Sequence, residues 1–204
     1  MNFLETNTKE PERYDKNTLL SVNTGRIILG LTGGIAIGIT LICSSFISPA
    51  FRKYCLPYIP ATDKQIKNVL CALKGRTGSL IDLGSGDGRI VLETAKLNFL
   101  SHGVELNPWL VLYSKFDAWQ WGLKNKCQFF RKDLWKYNVS KYDNIVIFGV
   151  EQMMEDLEKK LQRECKNGCR IIACRFPLPN EIPIIAIGSG VDTVWLYKME
   201  RESR

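Results

Sequence analysis

Apolar positions along this chain follow one rhythm near its start and others beyond it. From Ile27 to Ile47 the sequence IILGLTGGIAIGITLICSSFI contains no charge, and Arg26 bounds it on one side with Arg52 and Lys53 on the other. A bilayer core requires roughly 20 apolar residues of a helix. The pattern therefore predicts a single transmembrane helix over residues 26–48, in contact with lipid through Ile27–Ile47. A flexible polar tail is expected before it (residues 1–25), and a stiff linker with Pro57 and Pro60 after it (residues 49–61). Gly30, Gly34 and Gly38 recur on one face of this helix, a spacing that permits close helix approach.

Beyond the linker the rhythm changes. Thr62 and Gln65 have the spacing of a capping box, followed by Ile66, Val69, Leu70 and Leu73 on one helical face. Short apolar runs then alternate with amphipathic stretches. Strands are expected over Leu80–Leu83, His102–Leu106, Cys127–Arg131, Asn144–Phe148 and Cys169–Cys174, with helices from about Arg89, from Pro108 and over Glu151–Glu164. In the last helix Met153, Met154, Leu157 and Leu161 form the core face. Such alternation predicts an α/β domain over residues 62–200, with a mostly parallel sheet covered by helices on both faces. The final stretch, IPIIAIGSGVDTVWLYKM, has two strand-like runs joined by GSG without a helix, so the last strand is expected to be antiparallel.

Composition narrows the possible chemistry. The 28 basic residues exceed the 21 acidic ones, for a net charge of +7, yet no polybasic run occurs, which argues against a nucleic-acid partner. Seven cysteines occur without CxxC spacing and His102 is the lone histidine, so no metal site is expected and the thiols read as reduced, partly buried residues. His102 reads as a structural imidazole. The tryptophans, Trp109, Trp119, Trp121, Trp135 and Trp195, read as core aromatics in preference to a cation–π cage.

The segment IDLGSGDGRI carries the chemistry. It lies where the first strand of such a sheet ends, the place where ligands bind in open α/β folds. A dinucleotide fingerprint would require glycine at position 89, which is Arg89; the residues fit DxGxGxG instead, with Asp82, Gly84, Gly86 and Gly88. A pyrophosphate favours bare amides at a helix start. A buried acid at Asp82 with Asp87 nearby disfavours an anion and suits a cationic ligand. S-adenosylmethionine carries a sulfonium and an ammonium and has no phosphate. Glu105, at the end of the second strand, is placed to accept ribose hydroxyls, and Asp133, past the third, to accept from the adenine amino group. Ser85, Asp87 and Asn107 complete the expected cofactor contacts. Together these acids behind DxGxGxG point to a methyltransferase.

The stretches PATDKQIKNVL, IDLGSGDGRIV, VELNPWLV, KDLW, IVIFGVEQMM, LEKKL, ACRFPLP and DTVWLY resemble the small mitochondrial protein-lysine methyltransferases of the seven-β-strand class. That family acts on the ATP synthase c subunit and on the adenine nucleotide translocase, and NIVIFGVEQMMEDLEKKL looks more like its c-subunit members. The resemblance covers roughly residues 50–198 and the preceding apolar helix. It implies a Rossmann-like class I methyltransferase fold, S-adenosyl-L-methionine as cofactor, and trimethylation of a c-subunit lysine in support of ATP synthase assembly. It also implies a single-pass protein of the mitochondrial inner membrane and its cristae. Residues 1–25 hold four acids against three bases and make a poor presequence, so the targeting information is expected in an uncleaved apolar segment. The alternatives are methylation of the translocase or another membrane protein, and a tethered cofactor-binding module without catalysis. After the fourth strand, Phe148 and Gly149 are the expected substrate contacts. Glu151, where the resemblance leads one to expect proline, is the candidate catalytic base.

Overall fold

The computed structural model describes residues 16–47 and 58–200. The chain divides into two compact units, Met1–Cys43 and Ser44–Arg204. Helix α1 (Lys16–Ile47) starts within the segment expected as a tail, so residues from Lys16 onward are helical; residues 1–15 lie outside the described part. Its stretch Thr24–Ser44 is long and apolar enough to cross a membrane, and none of it is buried. Thr32 and Thr40 return their hydroxyls to the carbonyls of Ile28 and Ala36, each at 2.9 Å. An apolar surround therefore meets no unpaired hydroxyl at either position. Most of the expected linker, up to residue 57, falls outside the described residues.

The second unit begins with α2 (Asp63–Ala72). The capping box forms as its spacing predicts: Thr62 Oγ1 accepts from Gln65 N–H at 3.0 Å, and Gln65 Oε1 accepts from Thr62 N–H at 2.9 Å. Next come β1 (Ser79–Leu83), α3 (Arg89–Lys96), β2 (Leu100–Glu105), α4 (Pro108–Gln120), β3 (Cys127–Arg131) and β4 (Asn144–Phe148). A 3-10 turn at Glu151–Met153 leads into α5 (Met154–Glu164), then β5 (Arg170–Cys174), β6 (Ile185–Ile187) and β7 (Val194–Lys198). The seven strands lie in the order β3-β2-β1-β4-β5-β7-β6. The first five pair in parallel, and β7 inserts antiparallel between β5 and β6. The antiparallel ending follows the sequence expectation, while its link also contains a 3-10 turn at Gly190–Asp192.

Alternation along the strands sorts the core into layers. Ile81, Leu83, Ile145 and Ile147 pack with Leu157 and Leu161 of α5. Leu80, Val146 and Ile172 face the other way, against Ile66 and Val69 of α2 and Ile90 of α3. A third cluster joins α3, α4 and β3 through Val91, Val111, Ala118 and Phe129. Asp82 follows Ile81 and so belongs to the face of Leu80, the side of α2 and α3. Met153 and Met154 are buried as expected of a core face. His102 is buried too, with Nδ1 2.7 Å from the Tyr142 hydroxyl and its ring edge-on to Phe130.

One expectation fails. Trp109, Trp119 and Trp121 are not core residues: they are 40%, 57% and 62% exposed. Helix α4 buries its opposite side, Leu110, Val111, Ser114 and Ala118, and the tryptophans lie on its outer face or just past its end.

Candidate functional site

A cavity of about 530 Å³ opens beyond the carboxyl ends of β1, β2, β3 and β4. Its floor is the turn from β1 into α3. Gly84 and Ser85 donate their N–H groups to the Val104 carbonyl at 2.8 and 3.0 Å, which folds the turn across the end of β2. Gly88 then starts α3 with φ 84°, and a Cβ there would stand 2.7 Å from the Phe129 ring and 2.8 Å from Ser114 Oγ. A side chain at this position is excluded both by backbone conformation and by space. Gly103, across the sheet from Asp82, is needed for a different reason: a Cβ would lie 2.6 Å from Ser85 Oγ.

Asp82 lines this cavity and is buried. Its Oδ1 has no hydrogen-bond partner, and neither does the buried Ser85 Oγ beside it on the cavity wall. Burial, with the nearby charges of Glu105 and Asp87, pushes the Asp82 carboxyl up to about 8. A buried acid without a partner is costly, and a cation delivered into the cavity supplies what is missing. The pair of orphaned oxygens fits the amino-acid end of S-adenosylmethionine, which carries an ammonium and a carboxylate.

Glu105 is already engaged. Its Oε1 accepts from the N–H groups of Leu106 and Asn107, both at 2.7 Å, and its Oε2 accepts from Gly86 N–H at 3.0 Å. The carboxylate thus staples the glycine turn to the end of β2. A carboxylate offers about four acceptor sites, so capacity remains for a ligand hydroxyl. Asn107 also lines the cavity, but its Oδ1 caps α4 by accepting from Trp109 N–H at 2.9 Å. Asp133 reaches the wall with one oxygen held by Trp135 N–H at 3.0 Å.

Asp87 lines the cavity as well, and its carboxylate already has partners. It holds Arg89 Nε at 2.7 Å, and Arg89 Nη1 donates to the Ala61 carbonyl at 3.1 Å. The Tyr58 hydroxyl hydrogen-bonds to the same carboxylate, and burial together with that negative charge pushes the phenol up to about 12. The strap Tyr58–Ala61 is thereby latched over the glycine turn, with the Tyr58 ring 3.0 Å from where a Gly86 Cβ would stand. Sequence reasoning read this strap as linker and missed it as a wall of the site. Leu106 and Trp135, which also line the cavity, were missed as well; the KDLW stretch was the available signal for Trp135.

Phe148, half-buried at the end of β4, lines the cavity. Gly149 and Glu151 are absent from the wall. Gly149 is packed, a Cβ there falling 2.7 Å from the Met154 sulfur. Glu151 is exposed at the start of the 3-10 turn. Among the described residues, the carboxylate that lines the cavity on the side of α5 is Asp156, not Glu151.

Comparison with known proteins follows the same lines. The ANTKMT methyltransferase domain family matches residues 82–184, and the family of the N-terminal domain of ATP synthase c-subunit lysine N-methyltransferase matches residues 17–52. The ATP synthase c-subunit lysine N-methyltransferase of Homo sapiens is 50% identical over 187 residues, spanning 92% of this chain and 80% of that protein. The adenine nucleotide translocase lysine N-methyltransferase of Mus musculus is 39% identical over 175 residues, 83% of this chain and 76% of that protein. Among solved structures, an RNA methyltransferase from Salinibacter ruber in complex with S-adenosyl-L-homocysteine superposes with a TM-score of 0.65 at 22% identity, covering 72% of this chain and 97% of that one. That last likeness concerns the fold.

Proposed function

The chain belongs to the family of S-adenosylmethionine-dependent lysine N-methyltransferases that includes the enzymes named for the ATP synthase c subunit and for the adenine nucleotide translocase, and from that premise we propose that its target is a lysine of the ATP synthase c subunit at the mitochondrial inner membrane. The observation that carries the target is the match to the c-subunit enzyme in both regions, the apolar N-terminal segment and the catalytic domain.

When bound, S-adenosylmethionine supplies an electrophilic methyl group on a sulfonium. The residues of the chain hold and orient it. Asp82 and Ser85 take the amino-acid end, Glu105 the ribose, and Asp133 the adenine edge, while the Tyr58–Ala61 strap closes the cavity against water. Phe148 and Trp135 form the apolar wall along which a lysine stem enters. A free lysine amine has a pKa of ~10.4 and must lose its proton to attack. Burial against these rings favours the neutral amine, and a fixed approach lowers the barrier further. Glu151, exposed and off the cavity wall, is not assigned as base.

Helix α1 crosses the bilayer, stays uncleaved, and holds the domain within reach of a short loop in a membrane protein. Mass spectrometry of membrane proteins from cells lacking this chain tests the target. Loss of a lysine methyl mark on the c subunit is expected. A mark lost from the translocase alone transfers the activity there, and retention of both marks overturns the proposal.

A further inference from the structure

Helix α4 is apolar on two sides. Its inner side packs on α3 and β3. Its outer side carries Trp109, Leu112, Tyr113, Phe116 and Trp119 at helical spacing, and these are 40–59% exposed. The rings of Phe116 and Trp119 lie 5.7 Å apart, so the strip is continuous. Soluble monomers rarely expose apolar patches of this kind without a partner for them.

Composition and tether both favour lipid as that partner. Tryptophan and tyrosine concentrate at membrane–water interfaces, where a ring meets the acyl boundary and its polar atom meets the headgroups. Helices that lie in this zone pair an apolar face with flanking lysines. Lys115 on the helix and Lys124 and Lys126 beyond its end are exposed; Asp117, the one acid of α4, is hydrogen-bonded to Tyr113. Residues 48–57 connect α1 to Tyr58, and a chain of that length reaches at most about 36 Å when fully extended. A domain on such a tether never leaves the membrane surface once α1 is inserted.

We propose that the exposed face of α4 lies in the bilayer interface and sets the domain's orientation there. The first turn of α4 belongs to the cavity wall through Asn107 and Leu110, so this contact brings the cavity mouth to the membrane surface. The inference rests on the reading of α1 as a membrane span, and the experiment separates the two.

The full chain is reconstituted into phosphatidylcholine vesicles containing a minor fraction of phosphatidylglycerol, with bromine on the upper acyl carbons of the lipid. Helix α1 contains no tryptophan, so quenching by bromine reports the catalytic unit alone. Strong quenching is expected for the wild type, and loss of most of it for the double variant Phe116→Ser, Trp119→Ser, with affinity for S-adenosylmethionine unchanged. Release of the chain by alkaline extraction overturns the α1 reading. A retained wild-type chain with unquenched tryptophans overturns the α4 proposal alone. If the tryptophans stay unquenched and the double variant still methylates its protein target poorly, the face docks protein and not lipid. The wild-type measurement stands even if the variant fails to fold.

Discussion

Asp82 is the residue whose environment says most about the ligand. Its carboxyl is raised from the ordinary 3.8 to about 8 by burial and by neighbouring acids, so the folded, cofactor-free domain binds more protons than the unfolded chain between those values. The contribution to stability is complete below pH 3.8 and is lost as pH rises through about 8. A cationic ligand prefers the ionised carboxylate. Cofactor affinity is therefore expected to increase as pH climbs toward about 8, with proton release on binding. Asp82→Asn abolishes that pH dependence and weakens binding about ten- to a hundredfold, the worth of one charge-assisted contact of about 1.5–3 kcal/mol. Calorimetric titration at several pH values reads both effects. Glu105→Ala behaves differently. The sequence placed this carboxylate as an acceptor for ribose hydroxyls, and in the fold three backbone N–H groups also depend on it. Leaving them unpaired costs about 1–3 kcal/mol for each one that water does not reach. The variant is expected to lose both cofactor affinity and thermal stability.

At the level of elements, the entrance to α2 and the strap before it carry the burden. Thr62 accepts the Gln65 N–H and donates to Asp192 Oδ1 at 2.7 Å, so one hydroxyl caps a helix and ties it to the turn before β7. Thr62→Ala is expected to cost about 1–2 kcal/mol in chemical denaturation, the upper range for a cap. Arg89 latches the strap by bridging Asp87 and Ala61. It is exposed, and its loss leaves the core untouched. Arg89→Ala is expected to weaken cofactor binding several-fold while the denaturation midpoint stays in place; an unchanged affinity would show that the strap closes without its latch.

For the molecule as a whole, every residue given a cofactor role lies in the second unit, and the first unit ends at Cys43 within α1. Removing residues 1–53 is expected to leave S-adenosylmethionine affinity intact, to abolish methylation of a membrane-embedded target, and to prevent mitochondrial entry. Cofactor titration, methylation of the c subunit in proteoliposomes and subcellular fractionation check these three outcomes. Entry of the truncated chain into mitochondria would refute the assignment of targeting to the helix.

The parallel sheet with its antiparallel end and the glycine turn were legible from periodicity, because alternation and helical spacing are local consequences of which faces must be buried. The cofactor class was legible for a similar reason: DxGxGxG places an acid and a bare backbone at a strand end, whatever follows. Other features depended on contacts between distant residues. Nothing in the local pattern of Asp87 says that its partners are Arg89 and Tyr58, or that residues read as linker wall the cavity. Nothing near Glu151 says that the turn leaves it outside. The tryptophans of α4 read as core because aromatic residues usually are. Only the packed sheet determines which side of that helix faces inward, and it chose the side with Leu110, Val111, Ser114 and Ala118. That left the aromatic side exposed.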